Sequence, residues 1–292
     1  MNTPAMSDTS PAIRFRGVDF FYPQINEDPQ IPDGESAAED PDAITRVFRD
    51  LSIDVPSGIT SLVGQNGTGK STFLLLAAAR LFPAAGTIET LGMDTAAYRG
   101  AHLDPDLEDE RNRLVSVVYQ NMEFETEAPI GELFEFVYAN GYRAEKPAEL
   151  LQTIISELEL HDDLQYRTQE LSKGALQRAV IAFSLLYGSR LLVMDEPVFA
   201  LEDARKERVF RFLTDFVRSE NTALLYSAHE LHLSEQYSDN VLLFDKQGGI
   251  EVGPASEMLE REKVEAAFQV PLTLLYRKER LYRETLQNSG GQ

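Results

Sequence analysis

The sequence has no cysteine and no tryptophan, and only four of its 292 residues are histidine. Without cysteine the chain can form neither a disulfide nor a thiolate metal site, which suits a reducing compartment. Basic side chains are also scarce, since 27 of them stand against 48 acidic ones, for a formal net charge of −21. This imbalance argues against nucleic acid, or an anionic membrane surface, as a broad electrostatic partner.

Long apolar runs are missing as well. No stretch approaches the roughly 20 apolar residues that a membrane-spanning helix needs. Residues 1–11 are polar and lack the apolar core of a signal peptide. We therefore expect a cytoplasmic chain that works at a membrane only through a partner. Hydrophobic residues make up 43% of the sequence, which is ordinary for a globular protein with a sizeable core.

The most informative stretch is rich in glycine and lies between an apolar strand end, residues 60–63, and an apolar helix, residues 73–81. It follows the pattern G-x-x-x-x-G-K-[ST], in the strand–loop–helix context that the pattern requires. Glycines let the backbone approach a ligand closely, and the loop N–H groups and the helix N-terminus attract an anion. We predict phosphate binding, although a glycine-rich turn with a surface lysine is the simpler alternative. The stretch comprises Gly64, Gln65, Asn66, Gly67, Thr68, Gly69, Lys70, Ser71 and Thr72.

Strands and helices alternate along most of the chain. This alternation predicts an α/β fold with a mostly parallel sheet and a ligand at the carboxyl ends of its strands. Between residues 130 and 164 the apolar spacing is helical and strands are missing, which predicts a helical insertion. The predicted strands are 13–20, 47–55, 60–63, 87–91, 114–119, 191–194, 223–227, 241–244 and 249–252; further helices are 175–187 and 204–218.

Five polar side chains lie just after predicted strands, or, for Lys70, at the end of the glycine-rich stretch that follows one. Because parallel strands end at the same edge of a sheet, we expect these side chains to converge on the ligand of the glycine-rich stretch. They are Lys70, Gln120, Asp195, Glu196 and His229.

Two acidic stretches read as loops. Residues 24–45 hold seven acids, three prolines and no basic residue, so we expect a long exposed loop. Residues 104–110 hold five acids and read as a second loop. We predict a disordered lead-in at 1–12, a main domain at 13–255 and a helical C-terminal extension at 256–292.

Taken together, these features resemble an ATP-binding-cassette (ABC) ATPase over about residues 13 to 255. The resemblance implies an α/β P-loop NTPase core with a mostly parallel sheet, an N-terminal antiparallel β subdomain and a helical subdomain inserted at about 125–185. It also implies ATP and Mg²⁺ as cofactors, with Lys70 on the β- and γ-phosphates.

The resemblance assigns a role to each convergent residue. Tyr22 resembles the aromatic residue that stacks on adenine, and Ser71, Gln120 and Asp195 resemble the ligands of Mg²⁺. Glu196 resembles the general base for the attacking water. His229 resembles the histidine that contacts the γ-phosphate, so Glu196, His229 and Lys70 are the catalytic set. The simpler alternatives are a tyrosine that closes a strand and a structural histidine, and we expect the remaining histidines to be surface residues: His102, His161 and His232.

A second motif, Leu171-Ser172-Lys173-Gly174, resembles the ABC signature. In this family the signature meets the ATP held by another subunit, so one copy per chain implies a head-to-tail dimer, homo or hetero. An ordinary helix N-cap at Ser172 is the alternative. The chain departs from the usual family pattern at three positions: Lys173 for glycine, Ala175 for glutamine and Glu202 for aspartate.

Three functions compete at this point. The first is the ATPase subunit of a membrane transporter on the inner face of the cell membrane, docked to a permease near residues 125–136. The second is a soluble ABC ATPase that remodels or assembles a macromolecular partner. The third is a P-loop kinase or another NTPase outside the family. Residues 266–270 faintly resemble importer ATPases for metal chelates and cobalamin, whereas the Lys173 form of the signature also occurs in exporter-like members, so substrate and direction stay open.

Overall fold

Two β-sheets frame the chain in the computed structural model, which describes residues 10–22, 45–120, 122–228 and 230–276. One sheet is antiparallel, with strand order β2-β1-β4-β5, and the other has the order β10-β9-β3-β8-β7-β6. The strands are β1 (Ile13–Tyr22), β2 (Thr45–Val55), β3 (Ile59–Val63), β4 (Ala85–Thr90), β5 (Met93–Asp94), β6 (Val115–Val118), β7 (Leu191–Asp195), β8 (Ala223–Ser227), β9 (Asn240–Phe244) and β10 (Ile250–Pro254).

The larger sheet is parallel except for β10, which pairs antiparallel with β9. Every residue of β3 and β8 is buried, as expected for central strands of a parallel sheet covered on both faces. The predicted α/β fold, with its mostly parallel and its antiparallel sheet, is confirmed. As predicted for a mostly parallel sheet, five strands of the large sheet point their carboxyl ends at one edge: β3, β6, β7, β8 and β9.

Helices cover the sheets, and those that lie between β6 and β7 in the sequence form a separate layer. They are α1 (Lys70–Ala77), α2 (Pro105–Leu114), α3 (Ile130–Asn140), α4 (Ala148–Glu157), α5 (Lys173–Tyr187), α6 (Asp203–Ser219), α7 (Leu231–Tyr237), α8 (Ala255–Met258) and α9 (Arg261–Phe268). Helices α3, α4 and α5 share a buried core that contains Phe134, Ile154 and Leu185. They follow one another without an intervening strand, where the sequence predicts a helical insertion.

The acidic stretch 104–110 is not a loop, so that prediction was wrong. Asp104 caps helix α2, because its carboxylate accepts hydrogen bonds from the N–H groups of Asp106 and Leu107 at 3.1 and 3.3 Å. Proline at the first helical position and acids in the first turn both favour a helix start. Glu108 pairs with Arg111 and Arg80; burial opposes ionisation of Glu108, but these two guanidinium groups outweigh it and lower its pKa.

Other predictions fall partly or wholly outside the described residues. Residues 1–9, 23–44, 121, 229 and 277–292 are not described, which removes most of the predicted acidic loop and lead-in from the comparison. Of the histidines expected at the surface, His102 and His161 are exposed. The side chain of His232 is 34% exposed, with its ring 3.9 Å from the Glu230 carboxylate, so it lies at the surface but is partly covered.

Candidate functional site

The glycine loop, residues 64–69, joins the end of β3 to the start of α1. Gly67 and Gly69 have φ angles of +79° and +96°, in the left-handed region that favours glycine. A Cβ atom at Gly69 would lie 2.9 Å from Val47 Cγ1, and one at Gly64 would lie 2.7 Å from Phe244 Cβ. Glycine is therefore required by backbone conformation at one end of the loop and by close packing at both ends.

Helix α1 is fixed against the two sheets by Phe73. Its ring stacks on Phe15 of β1 at 4.4 Å and meets Phe48 and Phe244 edge-on at 6.3 and 5.8 Å. Aromatic pairs of this geometry add stability beyond the area they bury. The N-terminus of α1, which begins at Lys70, is thus held in place under the glycine loop.

Lys70 folds back under the glycine loop. Its Nζ donates hydrogen bonds to the carbonyl oxygens of Gly64 and Gln65, at 2.8 and 2.9 Å. Burial lowers the pKa of Lys70, while the charges of Glu196 and Asp195 act in the opposite direction. The ammonium group and the two carboxylates therefore share one electrostatic environment, although they are far apart in the sequence.

The glycine loop also touches the C-terminal extension. Gln65 Nε2 donates to the carbonyl oxygen of Phe268, at the end of α9, over 2.5 Å. Helices α8 and α9 pack onto β3 and β9, in a buried cluster that includes Val63, Val241 and Val264. No local pattern in the sequence predicts this contact, because its two ends are 203 residues apart.

The acid turn, residues 195–201, follows β7 at the same sheet edge. Gln120 Nε2 donates to Glu196 Oε2 at 2.7 Å, so two of the predicted site residues meet directly. The Ser227 hydroxyl donates to Asp195 Oδ1 at 2.5 Å and accepts from the Glu196 N–H at 3.0 Å. Sequence reasoning missed Ser227; the signal was its place at the end of β8, directly paired with Asp195.

Tyr22 lies at the end of β1, next to the first turn of α1. Its hydroxyl is 3.1 Å from Thr72 Oγ1, and its ring meets Phe20 edge-on at 5.0 Å. The side chain is 40% exposed. A partly open aromatic ring thus borders the glycine loop.

The four residues 171–174 lie at the N-terminus of α5. Ser172 is the N-cap, and its Oγ accepts a hydrogen bond from the Ala175 N–H at 3.2 Å, as the simpler alternative expected. Both Ser172 and Lys173 are exposed. Among the described residues, no hydrogen bond or ion pair joins this segment to the glycine loop of the same chain. His229 is not among the described residues, but its neighbour Glu230 pairs with the buried Lys206 of α6 at 2.5 Å.

The residues that form this site match a known protein family. The ABC transporter family profile matches residues 48–199, which span the glycine loop, the residue 171–174 motif and the start of the acid turn. The chain belongs to the ABC transporter family. Within it, the chain is an ATP-binding subunit, and its family is one of ATPases.

Individual relatives of this ABC transporter subunit differ in transport role. The chain is 30% identical over 79% of its length to YkoD of Bacillus subtilis, which carries the name of an HMP/thiamine import ATP-binding protein, and it spans 40% of that protein. It is 31% identical over 69% of its length to the lipoprotein-releasing system ATP-binding protein LolD of Anaeromyxobacter dehalogenans, of which it covers 84%. A solved ATP-binding cassette dimer with ADP and phosphate shares the fold at a TM-score of 0.66, with 17% identity, over 83% of this chain and 98% of that one.

Over the described ranges, none of the helices of this ABC transporter subunit combines the length and apolar character needed to cross a bilayer.

Proposed function

We propose that this ABC subunit hydrolyses ATP with Mg²⁺ and that ATP-dependent closure of a two-subunit dimer drives a membrane transporter. One observation carries the proposal: Glu196 is hydrogen-bonded to Gln120 at 2.7 Å, at the sheet edge where the glycine loop also lies. The charges of Glu196 and Asp195 also oppose the lowering of the Lys70 pKa by burial. A phosphate-binding loop and a pair of carboxylates thus meet at one sheet edge.

The glycine loop supplies the phosphate site. Its N–H groups and the N-terminus of α1 stabilise negative charge, and Lys70 adds a positive charge for the β- and γ-phosphates. Nucleotide then replaces the Gly64 and Gln65 carbonyls as the partner of Lys70. Tyr22 stacks on the adenine, since its ring is partly open beside the loop.

The residues present fit a magnesium ion. Mg²⁺ prefers oxygen ligands and is usually held by one or two protein groups plus phosphates and water. Ser71 is exposed at the start of α1, and Asp195 is a half-buried carboxylate at the end of β7. Gln120 gives its amide nitrogen to Glu196, which leaves its amide oxygen for the ion. Bound there, Mg²⁺ neutralises charge on the phosphates.

Glu196 is the general base. A carboxylate held at a fixed position can orient the attacking water and accept its proton. Lys70 stabilises charge that builds up on the transferred phosphoryl group. The role proposed for His229, contact with the γ-phosphate, rests on its resemblance to the family's histidine, because this residue lies outside the described ranges.

The exposed signature segment, residues 171–174, completes the site of a second subunit. A capped helix N-terminus still presents unpaired N–H groups to an anion. The cassette in the solved structure described above is a dimer, which supports this arrangement. The partner is a second ABC ATPase subunit, identical or different.

The membrane partner is an integral permease, and this subunit docks against it at the inner face of the cell membrane. Phe136, at the end of the predicted docking segment, is 65% exposed, which is unusual for a phenylalanine on a helix with a buried face. The names of the relatives include both import and lipoprotein release, so they leave substrate and direction open.

The composite site is tested with Glu196→Gln. This variant keeps the shape of the side chain but removes the base, so ATP and Mg²⁺ are expected to trap it as a dimer, while hydrolysis falls by about 10³-fold or more. Size-exclusion chromatography with light scattering measures the dimer. Glu251→Gln, on an exposed position of β10, is the control and should behave as wild type. A Glu196→Gln protein that stays monomeric at saturating ATP and Mg²⁺ contradicts the composite site.

The transport role is tested by affinity purification from solubilised membranes of the source cell. We expect an integral membrane protein to co-purify with wild type and to be lost with Phe136→Asp. Leu103→Asp, at an 80% exposed position outside the docking segment, should retain it. Recovery of only soluble partners would favour the remodelling ATPase instead.

A further inference from the structure

The backbone of the acid turn is strained at Glu196. Its φ angle is +51°, in the left-handed region that is unfavourable for a non-glycine residue. Such a conformation persists only when its surroundings hold it, and it occurs often at functional sites. Within the turn, the Phe199 N–H donates to the Glu196 carbonyl at 3.2 Å.

The side chain of Gln177, on helix α5, forms a hydrogen bond near each end of this turn. Gln177 Nε2 donates to the Glu196 carbonyl oxygen at 2.9 Å, and Gln177 Oε1 accepts from the Ala200 N–H at 2.8 Å. A glutamine amide offers a donor and an acceptor in one plane, so it can satisfy both backbone groups at once. Glutamate would keep only the acceptor, and methionine would keep neither.

Glu196 is consequently fixed at three atoms by three elements. Its N–H donates to the hydroxyl of Ser227 on β8, its carboxylate accepts from Gln120, and its carbonyl accepts from Gln177 on α5. Of these three, only Gln177 lies on the helix whose N-terminus carries Ser172 and Lys173.

We propose that Gln177 is a positioning residue that sets the orientation of Glu196 and links it to the signature segment of the same chain. The inference rests on the proposed function, in which Ser172 faces ATP held by the partner and Glu196 serves ATP held by its own chain. A shift of α5 when the dimer closes is then transmitted to Glu196 through the two hydrogen bonds of Gln177. Each subunit thereby senses the partner's nucleotide before it hydrolyses its own.

The test replaces Gln177 with methionine, which has a similar length and shape but forms neither bond. We expect kcat for ATP hydrolysis to fall by about 10–100-fold, since small misplacements of a catalytic group have effects of this size. The dissociation constant for ATP should change by less than about threefold, because the glycine loop is untouched. Gln177→Glu keeps the bond to Ala200 and places a carboxylate against the Glu196 carbonyl, so its loss of kcat should be at least as large.

Gln169 provides a matched control. Its side-chain amide also holds one residue at both backbone groups, accepting from the Thr126 N–H at 3.1 Å and donating to the Thr126 carbonyl at 3.0 Å. Gln169→Met removes the same kinds of bond away from Glu196, so it should shift the urea midpoint to a similar extent and leave kcat within about twofold of wild type.

The outcomes separate the inference from the function on which it rests. If Glu196→Gln abolishes hydrolysis but Gln177→Met keeps wild-type kcat, the positioning role is wrong and the proposed function stands. If Gln177→Met weakens ATP binding as much as it lowers kcat, the residue is merely structural and the inference fails. The inference also fails if Gln177→Met destabilises the protein more than Gln169→Met does and this extra loss of stability accounts for the whole loss of kcat. If Glu196→Gln remains fully active, the proposed function itself fails.

Discussion

The glycine loop and the acid turn face each other across one sheet edge, but they are held in different ways. Most hydrogen bonds of the loop are local: Lys70 and Thr68 donate to the carbonyl groups of Gly64 and Gln65, two glycines adopt left-handed conformations, and one long-range bond joins Gln65 to Phe268. The acid turn relies on side chains of other elements, since Glu196 is bonded to partners that lie 76, 19 and 31 residues away. Nucleotide binding is thus built locally, whereas the group proposed for hydrolysis depends on long-range packing.

This difference predicts how each region responds to substitutions. A change inside the glycine loop should distort it directly. Changes far from the acid turn in sequence should leave ATP binding intact and still lower the rate of hydrolysis. Variants in the two regions and in the strand between them test that contrast.

The largest effect is expected for Gly69→Ala. The new Cβ would meet Val47 Cγ1 at 2.9 Å and the Phe48 ring at 3.1 Å, at a φ angle of +96°. Left-handed strain and overpacking together should lower the free energy of unfolding by about 3 kcal/mol. Gly67→Ala is the control, because it has similar strain at φ +79° but nothing within 4 Å, and should lose about 1 kcal/mol. Urea unfolding without nucleotide measures both; equal losses would show that packing at Gly69 is unimportant.

A substitution at Tyr226 tests the strand that lies between the two regions. It is fully buried on β8, between β3 of the glycine loop and β7 of the acid turn. Burial raises its pKa to about 12, against weaker opposing hydrogen bonds from hydroxyl groups such as that of Ser238.

Because the folded pKa of Tyr226 exceeds the unfolded value of 10.0, its contribution is fully present below pH 10 and is lost as pH rises towards 12. Two pKa units correspond to about 3 kcal/mol of unfolding free energy. Tyr226→Phe should lack this part of the pH dependence, as measured by urea unfolding at pH 9 and pH 11.5. The same alkaline slope in both proteins would contradict the prediction.

Ser227→Ala tests the acid turn alone. It removes the hydroxyl that contacts both the Asp195 carboxylate and the Glu196 N–H. We expect kcat to fall by about 30-fold, or about 2 kcal/mol, with ATP affinity within about threefold of wild type. Ser184→Ala is the control, since that hydroxyl is also buried and bonded, to Ser116 at 2.7 Å, outside the acid turn. A parallel loss of ATP affinity in Ser227→Ala would mean that the two regions are not separable.

The smallest effect is expected at Tyr22. Tyr22→Phe removes the 3.1 Å contact with Thr72 but keeps the ring, so it should cost about 0.5–1 kcal/mol of stability and raise the KM for ATP less than about twofold. Tyr22→Ala removes the stacking face and should raise KM about tenfold. If the two variants have the same KM, the ring does not stack on adenine.

The parts of the fold that were predictable from sequence are those with local causes. Apolar runs predicted the strands of the large sheet, and the glycine pattern predicted the loop between β3 and α1. Helix α2 was missed because its acids suggested solvent, although Asp104 and Pro105 are helix-start residues. The ion pairs of Glu108 with Arg80 and Arg111 are contacts that the sequence does not show.

Within the site, the meeting of Gln120 with Glu196 followed from the expectation that parallel strands end at one edge. The contacts of Ser227 and Gln177 did not, because an isolated serine or glutamine carries no signal of its partner. These polar contacts depend on the packing of β8 and α5 beside β7, which the sequence alone does not show. The catalytic and ligand roles of all these residues stay predictions.

The bond from Gln65 to Phe268 also bears on how the protein is made. The glycine loop leaves the ribosome early, but its contact on α9 follows 203 residues later. The strands that flank β3, which are β8 and β9, are also synthesised more than 150 residues after it. At about 5–20 residues per second, the nascent loop spends roughly 10–40 s without these neighbours. A chain interrupted in that interval would carry the complete phosphate motif on an unsupported strand, exposed to chaperones and proteases before it could hold ATP.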